Sequence, residues 1–117
     1  MNYIDGFVAA VPTANQEAYL QHARLAAVIF KEHGALRVTE CWGDDVPEGQ
    51  LTSFTMAVKR EPDEAVVFAW IEWPSREARD AGMEKVMQDP RLQADANPMP
   101  FDGKRMIYGG FRMLLDE

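Results

Sequence analysis

A chain of 117 residues is the size of one domain and is long enough to bury a core of its own. Its composition, 47% apolar and 26% charged, is that of a globular protein and argues against disorder. Twelve basic against nineteen acidic residues leave a net charge of −7. That sign argues against nucleic acid as a partner, since Lys59-Arg60 and Lys104-Arg105 are only isolated cationic pairs.

Tyr3 to Val11 is an apolar run of strand length. It ends at Pro12, which cannot donate to a sheet ladder but starts a helix well. Thr13 and Gln16 have the spacing of a capping box. From Ala14 to His33 apolar residues recur with helical period, and Ala18, Leu25, Ala26, Ile29 and Phe30 make one stripe. Gly34 supplies a left-handed stop. Leu36 to Trp42 reads as a second strand, with Cys41 inside it as a small buried side chain rather than a reactive thiol. Pro47-Glu48-Gly49 is turn chemistry, and Ser53 to Val58 reads as a helical turn. Val66 to Trp73, rich in valine and aromatics, is the third strand. Ser75 caps a second long helix that runs to about Gln88, with Glu77 in its first turn favourable to the helix dipole. Arg91 to Asp102 reads as a loop with one helical turn, and Arg105 to Leu115 as the last strand.

Strand, helix and strand therefore occur twice in succession. That is the recipe for an α+β, ferredoxin-like βαββαβ sandwich: an antiparallel sheet in the order 4-1-3-2 with both helices on one face, in a single domain over residues 1–117. No apolar run approaches the roughly 20 residues of a membrane helix, and the N-terminus has no basic-then-apolar leader. A cytoplasmic protein with no membrane partner is expected. With one cysteine, two histidines and no Cys-x-x-Cys, neither a metal nor a cofactor is expected.

Side chains alternate between the faces of a strand, so each strand splits into two sets. The small set (Ile4, Gly6, Val8, Ala10; Thr39, Cys41; Val67, Ala69, Ile71; Ile107, Gly109, Phe111, Met113) suits the close approach of helices. The bulkier set (Tyr3, Asp5, Phe7, Ala9; Leu36, Val38, Glu40, Trp42; Val66, Phe68, Trp70, Glu72; Met106, Tyr108, Gly110, Arg112) is then left to the other face. Two helices cannot cover both faces, and burying one such aromatic is worth about 1.5–3 kcal/mol. A second copy of the sheet is the simplest cover, which predicts a homodimer closed into an α/β barrel. On the same face Asp5, Glu72 and Arg112 are expected close together, two acids against one arginine, with one carboxyl pKa raised. With Trp70 and Tyr108 as walls, these five residues make the candidate ligand site.

Tyr3-x-Asp5-Gly6-Phe7-Val8, Phe30-Lys31-Glu32-x-Gly34-Ala35-Leu36, Glu40-Cys41-Trp42, Val67-Phe68-x-Trp70-Ile71 and the long run from Met99 to Phe111 resemble the DUF1428 family of small bacterial proteins over essentially the whole chain. The resemblance implies membership of the dimeric α/β barrel superfamily, with ferredoxin-like protomers packed sheet to sheet. It carries over no catalytic residue. The wider superfamily includes cofactor-free quinol monooxygenases, haem-degrading enzymes, lactone isomerases and ligand sensors, so a reaction can be transferred only by analogy.

Two readings of function stay open. In one, the chain is a cofactor-free enzyme or binder of a small planar organic molecule, with Glu72 or Asp5 as base, Arg112 as anion stabiliser and Trp70 as a stacking wall. In the other, it is a non-catalytic binding or stress-associated homodimer with a packed barrel. Individual residues divide in the same way. Trp42 stacks on a ligand or fills the barrel; His22 is a satisfied core histidine, a general base or a haem ligand. His33 caps its helix. Asp102-Gly103-Lys104-Arg105 either positions an anion or sets the register of the last strand.

Overall fold

The computed structural model describes residues Met1–Glu117. Four strands, β1 (Tyr3–Pro12), β2 (Arg37–Trp42), β3 (Glu64–Trp73) and β4 (Ile107–Arg112), form one antiparallel sheet in the order β2-β3-β1-β4. Helices α1 (Gln16–Glu32) and α3 (Arg76–Gln88) are long, and α2 (Phe54–Ala57) is a single turn. No helix is long and apolar enough to cross a membrane. The α+β class and the strand order are those expected, and the arrangement is compatible with a ferredoxin-like sandwich.

Local chemistry explains most boundaries. Gly34 takes φ +111°, the conformation in which a side chain would be strained, and stops α1. Ser53 and Ser75 accept from the backbone N–H groups of Met56 and Ala78 at the starts of α2 and α3. The capping box at Thr13 does not form. Residues Thr13–Asn15 make a 3₁₀ turn, and the Thr13 hydroxyl instead donates to Asp63 O at 3.2 Å, joining the end of β1 to the turn before β3. The last strand is shorter than its apolar pattern. Gly103–Arg105 is a 3₁₀ turn, and residues after Arg112 leave the sheet.

On α1 the buried residues are Tyr19, Ala23 and Ile29, whereas Ala18 and Leu25 of the expected stripe are exposed. The helix is rotated so that Tyr19 points inward, where its ring meets Trp42 and Phe101 and its hydroxyl finds an acceptor. Cys41 is exposed rather than buried, because β2 is an edge strand and Cys41 lies opposite Phe68 on its open side.

The larger correction concerns which side each strand turns to the helices. Directly opposed residues share a face, and β1 pairs Tyr3 with Trp73, Asp5 with Ile71, Phe7 with Ala69 and Ala9 with Val67. The helix-side core consists of Ala9, Val11, Val67 and Ala69 against Tyr19 and Ala23, continuing into Tyr3, Ile71 and Trp73 against Ala35, Phe30 and Met83. For β3 the expected sides hold. For β1, β2 and β4 they are reversed: Tyr3, Asp5, Phe7 and Trp42 face the helices, and Ile4, Gly6, Ile107, Gly109 and Phe111 face away. Both sets are rich in apolar residues, so composition did not order them; the register did.

Helix α3 lies close to the sheet because it carries glycine at the crossing. A Cβ on Gly82 would overlap the His33 carbonyl and the Trp73 ring. Alanine gains about 1 kcal/mol of helix propensity over glycine, but overpacking of a rigid ring and a backbone oxygen costs about 1–3 kcal/mol. Gly82→Ala is therefore expected to lower stability in urea unfolding. An unchanged or higher midpoint would show that α3 does not pack on Trp73 this tightly.

Candidate functional site

The side of the sheet turned away from α1 and α3 is only partly covered. Short α2 lies across one end, where Val58 packs with Val8, Ala10 and Val66. Phe54 of α2 then meets Phe68 edge to face at 5.8 Å, and Phe68 meets Trp70 at 5.6 Å. Beyond them the face opens into a trough of about 680 Å³. Gly6 and Gly109 face each other across β1 and β4 and make its floor. Phe68, Trp70, Ile107 and Phe111 wall it, with Phe68 44% and Phe111 59% exposed. Glu72 is the one charged residue in the lining, and Arg37 stands opposite it on β2.

The five residues expected to form one site are not brought together. Trp70 and Glu72 lie in the trough. Tyr108 stands opposite Phe7 on the edge strand β4, 79% exposed at the trough's rim. Asp5 is on the helix side, opposite Ile71. There it accepts from Trp73 Nε1 at 2.9 Å and from Arg79 Nε at 3.1 Å, while the Arg79 guanidinium stacks 5.0 Å from the centre of the Tyr3 ring. Arg112 lies opposite Tyr3 at the far end of β4, exposed, beside Pro74 and Ser75 rather than beside Glu72. The cluster of two acids and one arginine thus does not exist. Asp5 is paired with an arginine from α3 that the strand pattern does not reveal.

Other charged motifs serve the framework. Arg105 donates to both oxygens of Glu64 at 2.7 and 2.8 Å, to Asp102 at 3.0 Å and to Lys59 O at 2.8 Å. The Arg105 hydrogen bond holds the Glu64 carboxyl below its ordinary pKa. Arg105 is thereby spent on fastening the turn before β4 to the start of β3, not on an anion. His33 Nε2 lies 3.1 Å from Asp89 Oδ2. Asp89 also takes Arg91, which reaches Glu32 at 2.6 Å, so the ends of α1 and α3 are tied together. Hydrogen bonds from Arg91 keep the Asp89 carboxyl well below the usual range.

A second constellation lies under the helices, and the sequence pattern gave only weak notice of it. The Tyr19 hydroxyl donates to Glu40 Oε1 at 2.7 Å. Trp42, which faces the helices rather than a barrel interior, packs against the same ring, as do His22 and Phe101. Burial raises the pKa of Glu40, opposed in part by the Tyr19 hydrogen bond, and burial also raises that of Tyr19. A tyrosine on the inward stripe of a helix and a glutamate within a strand were the available signals. Their meeting depends on the rotation of α1.

An antiparallel four-stranded sheet, layered by two helices on one side and bare and apolar over most of the other, places the protein among small α+β sandwiches. The chain belongs to the family described as protein of unknown function (DUF1428), which it matches over residues 2–103. It is 58% identical over 117 residues to the uncharacterized protein YbaA of Escherichia coli strain K12, covering all of both chains. The same identity and coverage hold for YbaA of Shigella flexneri.

A carboxyl whose pKa is raised on folding keeps its proton to higher pH in the folded state. Its cost to stability is absent below the ordinary carboxylate range and grows as pH rises through the folded value. Glu40→Gln retains an acceptor for Tyr19 and removes the charge. It is expected to raise the thermal midpoint at pH 8 and to leave it unchanged at pH 4. A midpoint that falls equally at both pH values would mean that the ionised carboxylate is not a burden on the fold.

Proposed function

We propose that this protein is a cytoplasmic homodimer, joined through the uncovered sheet face into an α/β barrel, that holds a small planar organic molecule in the trough between the two sheets. The observation that carries the reading is the trough itself. An apolar face with glycines in the floor and exposed rings on the walls is poorly suited to water, and a two-fold axis covers the same patch on both copies at once. Burial of each ring from water is worth about 1.5–3 kcal/mol, whereas the sheet's charged residues are few on this side.

Glu72 gives the trough its chemistry. It is the only carboxylate in the lining, so it favours a ligand that presents a hydrogen-bond donor or a positive group while its ring lies against Trp70. Arg112 and Asp5 are not available as partners for that ligand. The reading is therefore of a binder in which Glu72 is the one candidate proton acceptor.

A second reading, a packed and non-catalytic interface, is favoured by Phe111. Its ring lies over the floor, 3.7 Å and 3.6 Å from where Cβ atoms on Gly6 and Gly109 would stand. In that case the ring itself occupies the space.

Light scattering on the purified protein is expected to give twice the 13.2 kDa chain mass. Phe68→Asp is expected to give a folded single chain, with unchanged far-ultraviolet circular dichroism. A wild-type protein that stays a single chain at high micromolar concentration would end the reading. In thermal-shift titration, planar aromatic amines are expected to stabilise the dimer, and Trp70→Ala or Glu72→Gln to abolish the effect. A dimer that responds to none of them supports the packed interface instead.

A further inference from the structure

On the helix side, two polar atoms in the Tyr19 constellation are left without partners. His22 Nδ1 is enclosed and makes no hydrogen bond. Glu40 uses Oε1 for Tyr19, and its second oxygen has no partner within the chain. Enclosed polar atoms are nearly always hydrogen-bonded, so His22 Nδ1 calls for a donor, and the second Glu40 oxygen, which is not enclosed, is open to one as well. The surroundings are aromatic. Tyr19 lies 5.6 Å from Phe101, 6.4 Å from Trp42 and 6.3 Å from His22, and Phe101 meets His22 edge to face at 6.3 Å.

The segment that brings Phe101 over this box is held unevenly. At one end Asp89 and Arg91 are bound to His33 and Glu32. At the other Arg105 is bound to Glu64. Between these anchors, residues 92–104 are held to the helices by neutral amide bonds: Gln93 Nε2 donates to Met87 O at 3.1 Å, Asn15 Nδ2 to Pro100 O at 2.9 Å, and Asn97 Nδ2 to His22 O at 3.4 Å. Charged and multidentate bonds at the ends are stronger than these neutral ones, so the middle opens first. A strap with fixed ends and a loosely held middle can lift Phe101 without disturbing the sheet.

We propose that Tyr19, His22, Glu40, Trp42 and Phe101 form a binding site, closed by this strap, for a small aromatic molecule that carries hydroxyl donors. The chemistry follows from the free atoms. A carboxylate oxygen accepts only, and the imidazole Nδ1 accepts when the ring's proton is on Nε2, which is not enclosed. Two acceptors among rings select a flat donor and disfavour anions. The site is on the opposite side of the sheet from the trough and does not depend on dimerisation.

The two histidines make the test direct. Protein labelled with ¹⁵N at histidine is titrated with catechol under nitrogen while the ring-nitrogen resonances are followed. His22 is expected to shift saturably, and His33, bound to Asp89, to stay in place. Glu40→Gln is expected to weaken the response at least tenfold, and Phe101→Ala to change its affinity. Trp70→Ala, in the trough, is expected to leave it unaltered. No shift of His22 at millimolar catechol overturns the proposal. So does a shift that survives Glu40→Gln but vanishes with Trp70→Ala, which would place the molecule in the trough.

Discussion

The fold rests on the register of β1. Ten residues pair with β3 from Tyr3↔Trp73 to Pro12↔Glu64, and six pair with β4 from Tyr3↔Arg112 to Val8↔Ile107. A slip of one residue would exchange the faces of the central strand. Gly6 would then lie beneath the helices, and Tyr3, Phe7 and Ala9 would leave the core. Asp5 guards against this. In the observed register its carboxylate meets both Trp73 Nε1 and Arg79; a slip would take both Asp5 and the Tyr3 ring away from Arg79 and leave Trp73 Nε1 without its acceptor. One carboxylate thus couples a β1 residue to the end of β3 and the first turns of α3.

The order of elements was legible because each has a local cause. Gly34 ends α1, Ser75 starts α3, and valine-rich β3 was found almost whole. Strand order followed from the repeated βαβ pattern. The facing of the strands did not. Alternation divides Tyr3-Ile4-Asp5-Gly6-Phe7-Val8 into two mainly apolar sets, one of them with Asp5, and that pattern does not say which one meets a helix. The assumption that small residues lie under helices fails here because the helix side accommodates Trp73, Phe30 and Tyr19, with Gly82 rather than a sheet glycine making the room.

The candidate site was legible to the same extent. Trp70 and Glu72 belong to the strand whose facing was read correctly, and both line the trough. Asp5 and Arg112 belong to strands whose facing was reversed, and both are elsewhere. Tyr19 with Glu40 could not be found by spacing, since 21 positions separate them and only the rotation of α1 makes them neighbours. Arg79 was hidden for a related reason. It is one charge among several on an amphipathic helix, and its role appears only when α3 is laid across the sheet.

The arginines tied to carboxylates have a consequence at longer range. Arg60, Arg76, Arg79, Arg91 and Arg105 each have an acidic partner within the chain, so their positive charge is largely cancelled locally. Each such pair removes one charge of either sign, so the chain keeps its excess of seven negative charges. Two identical molecules approaching one another meet a mutual Coulomb barrier that dissolved ions screen over about 10 Å at 0.1 M. Pairing of copies through an oily surface should consequently become easier as ionic strength rises, the reverse of the behaviour of complexes held by opposite charges.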